Sequence, residues 1–238
     1  MTFDHVGVGT MYFSRTITTT AAAATILAAL IAPAAAQAPA PGSLGAPGDV
    51  LTMPLQDALQ VLIIQDESRA GYDRSKFRHW VDADKDGCDT RSEVLLEEAF
   101  LPARQGPKCT VSGGEWYSSY DNTYVGDAKK LDIDHLVPLA EAWDSGASTW
   151  TAAQRQAYAN DLGDPRALLA VSAATYRSKA DQDPTTWMPT EAAHCTYVAN
   201  WTAIKMRWQL TIDPAEANAL AQTAVTCANA PVKVTLAR

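Results

Sequence analysis

One short segment decides the fold, and it reads Leu131-Asp132-Ile133-Asp134-His135-Leu136-Val137-Pro138-Leu139. The alternation of apolar and polar residues predicts a short strand over 131–136, and Pro138 then forces the chain out of regular pairing. Because side chains alternate along a strand, Asp132 and Asp134 point to the same face. Carboxylates on one face can hold a divalent cation, and an adjacent neutral imidazole can take a proton from water. A histidine at a strand end beside solvated aspartates would give the same letters, so this segment alone leaves both interpretations open.

Apolar spacing on both sides of this segment predicts helices interspersed with short strands, which indicates an α+β domain. The predicted helices cover 54–66, 75–80, 91–101, 141–162 with a turn at 144–146, 190–210 and 214–227. The predicted strands cover 111–124, which includes a turn, and 167–173. The sequence shows no internal repeat.

The first residues are typical of a targeting segment rather than of a folded domain. A basic residue precedes an apolar run at 21–31, and small residues suited to signal cleavage follow at 34–36. We therefore expect a signal peptide at 1–36, a flexible linker at 37–49 and one folded domain at 50–238. The apolar run is too short to span a bilayer, so the mature protein is expected to be secreted and extracellular, with no membrane contact after cleavage.

Four cysteines, Cys88, Cys109, Cys195 and Cys227, lie in the expected mature chain. An even number in an exported protein favours disulfides, and three pairings are possible. Proximity in sequence favours Cys88 with Cys109 and Cys195 with Cys227, each stabilising the fold by about 3 kcal/mol. A zinc site is disfavoured because the cysteines lack ligand spacing.

The formal net charge of −8 bears on the class of ligand. An acidic protein does not attract a polyanion over long distances, so binding to nucleic acid would rest on a local cluster of basic residues and on metal ions. This charge argues against a high-affinity nucleic-acid binder, and it is compatible with an enzyme that releases its product. We expect a monomer.

The acidic segment 82–93 matches the calcium loop of EF-hands at each ligand position. A second such loop is missing from the sequence, so we expect structural Ca²⁺ rather than a sensor. An acidic turn without metal is the alternative. The expected ligands are the side chains of Asp82, Asp84, Asp86 and Glu93 and the main-chain carbonyl of Cys88, whose sulfur stays available for a disulfide.

Residues 134–147 resemble the signature stretch of secreted bacterial HNH endonuclease family proteins, which are similar to the C-terminal nuclease domain of GmrSD-type restriction enzymes and, more distantly, to the HNH domain of RNA-guided CRISPR effectors. The similarity continues through 80–84, 88–91, 158–162, 177–179, 183–184, 187–189 and 195–197. The resemblance implies a small ββα-metal HNH core with additional helices, stabilised by disulfides.

The resemblance also implies roles for individual residues. Asp134, with Asp132 as a further candidate, would ligate a Mg²⁺ or Mn²⁺ ion, and His135 would activate water for attack on a phosphodiester. Lys179 would take part in catalysis and, with Arg177, contact phosphate. An imidazole with an ordinary pKa would lose this activity below about pH 6.5.

One position departs from the family pattern, which reads Asn-x-Ser-Lys-Gly-Asp where this chain has residues 176–181. Tyr176 stands where the family has an asparagine as the second metal ligand, and a neutral phenol is a poor ligand for a hard cation. Asp181 is a candidate substitute.

These observations predict a secreted, metal-dependent endonuclease of weak sequence specificity, acting on DNA rather than RNA. Two alternatives stay open because of Tyr176. One is a catalytically impaired member of the same fold that binds metal or another macromolecule, and the other is an extracellular structural protein stabilised by calcium.

Overall fold

A computed structural model describes Thr2 and residues 43–238, so the predicted signal peptide, apart from Thr2, and the linker up to residue 42 lie outside the described residues. The elements in chain order are β1 (Val50–Pro54), α1 (Leu55–Gln60), α2 (Thr90–Glu97), β2 (Ala99–Gln105), β3 (Val111–Ser118), β4 (Thr123–Val125), β5 (Leu131–His135), α3 (Leu139–Asp144), α4 (Ala152–Ala159), β6 (Leu168–Ser172), α5 (Ala173–Lys179), α6 (His194–Trp208), α7 (Pro214–Ala224) and β7 (Pro231–Thr235).

The strands form three small antiparallel sheets, β1–β7, β2–β3–β4 and β5–β6, among the helices. This mixed architecture confirms the predicted combination of helices and short strands. In the β5–β6 sheet, Asp134 pairs with Leu169 and His135 pairs with Leu168. Helix α5 follows β6 directly and packs against both strands. The chain therefore brings two antiparallel strands and one helix together around Asp134.

The core lies between β5, β6 and the longest described helix, α6. Leu131 and Ile133 of β5 are buried, as are Trp201, Ile204 and Met206 of α6. The apolar side chains of β5 therefore belong to the hydrophobic core. In the described part of the chain, no helix is both long and apolar enough to cross a membrane.

Most predicted elements are confirmed, and two predicted helices are too long. The helix expected at 91–101 ends at Glu97 and strand β2 begins at Ala99, because Pro102 disfavours helical backbone in the preceding turn. The helix expected at 54–66 ends at Gln60, since Ile64 instead forms a parallel bridge with Ile212. The segment 75–80 contains only a 3₁₀ turn, Arg74–Lys76.

The described part of the predicted linker, residues 43–49, lies against the domain. The Ser43 hydroxyl and the Leu44 amide both donate to Oε1 of Gln209, at 2.8 and 3.1 Å. The Gly48 amide donates to the carbonyl of Leu236 at 2.8 Å. These contacts connect the segment to the end of α6 and to the C-terminus.

Both disulfides favoured by sequence proximity are confirmed. Cys88 pairs with Cys109, with 5.0 Å between their Cα atoms, and Cys195 pairs with Cys227, with 5.5 Å between theirs. The first disulfide fastens the acidic loop at 82–93 to the connection between β2 and β3. The second fastens the first turn of α6 to the segment after α7.

Candidate metal centre

The end of strand β5 carries the two residues singled out from the sequence. Asp134 and His135 both line a cavity of about 590 Å³ that opens beside helix α5. The strand ends at His135, because the chain bends at Leu136 and Val137 toward Pro138, which precedes the first turn of α3. The other polar residues that line the cavity are Arg74, Tyr176, Arg177 and Asp181.

The Asp134 carboxylate is buried, with 2% of the residue exposed. Its Oδ2 atom accepts a hydrogen bond from the Tyr120 hydroxyl at 2.7 Å and forms an ion pair with Nζ of Lys179 at 2.8 Å. Burial raises the pKa of Asp134 above its ordinary value, and the neighbouring ammonium opposes that rise. Both polar contacts found among the described residues engage Oδ2, which leaves Oδ1 available to a ligand in the cavity.

Lys179, predicted to contact phosphate, does not reach the surface of the cavity. The residue is fully buried, and its ammonium also donates to the carbonyl of His135 at 3.1 Å. It cannot reach a phosphate while these contacts persist, because its position on α5 faces β5 rather than solvent. Arg177, by contrast, is exposed and lines the cavity.

His135 is held in one orientation by its surroundings. Its Nε2 lies 3.0 Å from the carbonyl oxygen of Ala159, and its ring stacks on Trp80 with centroids 5.6 Å apart. A carbonyl only accepts hydrogen bonds, so Nε2 carries the hydrogen and Nδ1 keeps its lone pair. Burial lowers the pKa of His135 to about 3, so the imidazole stays neutral well below neutral pH. The expected loss of activity below about pH 6.5 assumed an ordinary imidazole pKa, and this environment does not meet that condition.

The position that departs from the family pattern lies at the cavity. Tyr176 is half-buried, and burial raises the pKa of its phenol, so the group is neutral. Asp181 follows the end of α5, where Ala180 has a φ of 49°, a conformation that favours the glycine of the family pattern. Asp181 is exposed and lines the same cavity. Asp132 is half-buried on the same strand as Asp134 and is not part of the lining that the described residues form.

Two residues of this centre were missed in the sequence. Tyr120 lies between β3 and β4, 14 residues before Asp134, and its hydroxyl has no local sequence signal. Arg74 belongs to a 3₁₀ turn, and its positive charge contributes to lowering the pKa of His135. Both reach the centre through tertiary packing alone.

The acidic loop is a separate feature. Oxygen atoms of Asp82, Asp84 and Asp86 all lie within 4.8 Å of one another, and all three residues are exposed. The Gly87 amide donates to Oδ2 of Asp82 at 3.1 Å, and Gly87 has a φ of 96°, which requires glycine. Together these contacts fold the loop back on its own carboxylates.

Glu93, the last expected ligand of this loop, lies in the first turn of α2 and outside that group of three. Burial raises its pKa, and the negative charges of Asp84 and Asp86 add to that rise. Cys88 is buried, and its amide donates to Oδ1 of Asp86 at 2.7 Å. The loop therefore places three exposed carboxylates close together, with Glu93 outside that group.

These features define a mixed helix-and-sheet domain whose cavity combines a buried carboxylate, a neutral imidazole and exposed guanidinium groups. A model of the family described as GmrSD restriction endonucleases, C-terminal domain, matches residues 89–223, and the chain belongs to this family. An "uncharacterized secreted protein" of Arthroderma benhamiae is 40% identical over 158 residues, which cover 66% of this chain and 76% of that protein. No solved structure matches the chain. Membership confirms the predicted family and indicates a nuclease-related function.

The ion pair at this centre generates a stability prediction. Lys179→Met leaves the Asp134 carboxylate buried without its cation, so the free energy of unfolding should fall by about 3–5 kcal/mol. The measurement is urea denaturation at neutral pH. The double variant Asp134→Asn/Lys179→Met removes both charges and should regain part of that loss. Equal losses in the single and double variants would contradict the ion pair.

Proposed function

We propose that this protein is a secreted, metal-dependent HNH-type endonuclease that hydrolyses phosphodiester bonds in nucleic acid, DNA rather than RNA. The observation that carries the proposal is His135, which lines the cavity beside Asp134 with Nε2 against the Ala159 carbonyl and with no hydrogen bond to Nδ1 among the described residues. The order of β5, β6 and α5 around this pair supports the ββα arrangement that we propose.

The residues at the cavity fit a hard divalent cation, because the carboxylates of Asp134 and Asp181 offer oxygen atoms. Oδ1 of Asp134 and the carboxylate of Asp181 would hold Mg²⁺ or Mn²⁺, and Asp132 adds negative charge nearby. Such an ion supplies stabilisation of the leaving oxygen and of the charge that develops on phosphorus.

The chain's own residues account for the other steps. Arg74 and Arg177 lie at the cavity with their charges exposed, where they would bind the phosphate and orient it. Nδ1 of His135 would take the proton from the attacking water, and the contact with Ala159 keeps the ring in the required orientation. Lys179 would act as a positioning residue, since it touches Asp134 and the His135 carbonyl rather than solvent.

A catalytically impaired member of the family is the second candidate. The observations that favour it are the phenol of Tyr176 at the expected asparagine position and the ammonium of Lys179 on the expected metal ligand. Both lower the affinity for a cation. Our proposal requires that Asp181 supplies the missing ligand.

Two further properties belong to the proposal. Secretion is supported by the signal-like residues 1–36 and by the similarity to the secreted protein of Arthroderma benhamiae. Structural Ca²⁺ binding at 82–93 is supported by the sequence match and by the three neighbouring carboxylates. Because the Cys88–Cys109 disulfide joins this loop to the connection between β2 and β3, bound Ca²⁺ would stabilise this part of the fold.

Cleavage of plasmid DNA tests the proposed activity. With Mg²⁺ or Mn²⁺ the wild type should nick the plasmid, and EDTA should stop it. His135→Ala should slow nicking by roughly 10² to 10⁴, the usual share of general base catalysis. His194→Ala is the matched control, because His194 binds the Pro189 carbonyl away from the cavity and should leave nicking unchanged. Circular dichroism checks that each variant is folded.

The same assay separates the two candidates. Tyr176→Asn should increase nicking or lower the concentration of Mg²⁺ that nicking needs. Asp181→Asn should raise that Mg²⁺ concentration. If wild type and Tyr176→Asn leave DNA and RNA intact with every divalent ion, the protein is the impaired member. If wild type cleaves well and Tyr176→Asn makes it worse, the tyrosine is part of the functioning site.

Thermal melting tests the calcium loop. Extracellular calcium modules bind with dissociation constants of about 10⁻⁴ to 10⁻³ M, and binding to the folded form alone raises the melting temperature. We expect a rise with millimolar Ca²⁺ in the wild type and a much smaller one in Asp84→Asn/Asp86→Asn. An unchanged wild-type midpoint would rule out the site.

A further inference from the structure

The three-stranded sheet exposes a row of large rings, which we call the aromatic platform: Phe100 of β2, Tyr117 of β3 and Tyr124 of β4. Their residues are 61%, 42% and 56% exposed. The ring of Tyr124 lies 5.3 Å from that of Phe100 and 5.2 Å from that of Tyr117, measured between centroids. The rings thus contact one another instead of the core. Contiguous exposed apolar surface of this kind marks interaction sites.

A basic groove begins at one edge of this platform. It has a volume of about 720 Å³ and is lined by Tyr124, Lys129, Lys130 and Arg177, among other residues. Both lysines belong to the 3₁₀ turn Ala128–Lys130 and are exposed. The carboxylate of Asp127 also lines the groove, but it accepts a hydrogen bond from the Lys129 amide at 3.0 Å. Three cations against one carboxylate leave the groove positively charged.

The groove and the metal centre share one wall. Arg177 lines both the groove and the cavity that holds Asp134 and His135. A chain with regularly spaced negative charges could therefore run from Tyr124 past the two lysines and Arg177 to the metal centre. The net charge of −8 does not attract a polyanion, but these cations lie together on one face and create a local positive potential that does.

The combination of rings and cations selects among nucleic acids. Proteins that bind single strands pair a basic groove for the phosphates with aromatic side chains on which unpaired bases stack. Bases in a duplex are already stacked inside the helix and cannot lie on such rings. We infer that the aromatic platform and the basic groove bind single-stranded nucleic acid and lead it to the metal centre. This inference rests on the proposed nuclease function and specifies its substrate class.

Fluorescence anisotropy in EDTA measures this binding without cleavage. The probes are fluorescein-labelled oligothymidylate and oligouridylate of about 16 nucleotides, with a duplex of the same length for comparison. We expect at least one single strand to bind at least tenfold more tightly than the duplex. Phe100→Ala/Tyr124→Ala should weaken single-strand binding by about tenfold or more, since each stacked base contributes on the order of 1–3 kcal/mol and 1.4 kcal/mol is tenfold.

Matched variants separate the ring and the charge from general damage. Tyr124→Phe keeps the ring and should bind within about twofold of the wild type. Lys129→Gln/Lys130→Gln should weaken binding and reduce its salt dependence, whereas Lys233→Gln on β7, outside the groove, should not. Melting temperatures verify that the exposed substitutions leave the fold intact.

Four outcomes overturn the inference. The first three are equal affinity for single strand and duplex, unchanged binding in Phe100→Ala/Tyr124→Ala, and absence of binding to either single strand. The fourth is that Phe100→Ala/Tyr124→Ala loses self-association in sedimentation rather than oligonucleotide binding. The last would make the platform an interface between two copies of the chain. Failure of the nuclease proposal looks different, because single strands would then bind through the platform in EDTA and remain intact with Mg²⁺ or Mn²⁺.

Discussion

The ion pair between Asp134 and Lys179 is the constraint on which the arrangement of the centre depends. A buried charge without a partner costs several kcal/mol, so the strand that carries Asp134 and the helix that carries Lys179 must keep these side chains together. The Tyr120 hydroxyl satisfies the same carboxylate oxygen, and the Lys179 ammonium also holds the His135 carbonyl. Thus β5, α5 and the β3–β4 connection are fixed relative to one another by groups that also form the cavity.

This pair sets a limit on metal binding. Lys205, the other fully buried lysine of the described chain, pairs with two carboxylates, Glu141 and Glu216, whereas Lys179 pairs with one. A divalent ion on the free oxygen of Asp134 would therefore face a neighbouring cation with a single carboxylate between them. Additional negative charge must come from the cavity, and Asp181 is the carboxylate there that can approach. We therefore predict a modest affinity for the divalent ion, with the additional negative charge coming from Asp181, just beyond α5.

Much of this could be predicted from the sequence, because the informative signals are local. The alternation at 131–136 indicated β5, the apolar run at 167–173 indicated β6, and cysteine proximity indicated both disulfides. The signals that failed are long-range. A basic residue at the fourth position of the segment 176–181 looks like a surface contact, but Lys179 contacts the buried Asp134 of the neighbouring strand β5. The hydrogen bond from Tyr120 to Asp134 forms only after the strands have paired. The same holds for the position of Arg177 between the basic groove and the cavity at Asp134.

Electron paramagnetic resonance of Mn²⁺ tests the central claim, that Asp134 holds a divalent ion although Lys179 contacts it. The titration uses a background with Asp84→Asn and Asp86→Asn, so that the acidic loop does not contribute. The account predicts one Mn²⁺ bound per chain in this background and its loss in a folded variant that also carries Asp134→Ala and Lys179→Met. Equal Mn²⁺ binding with and without Asp134, or none in either protein, would contradict it.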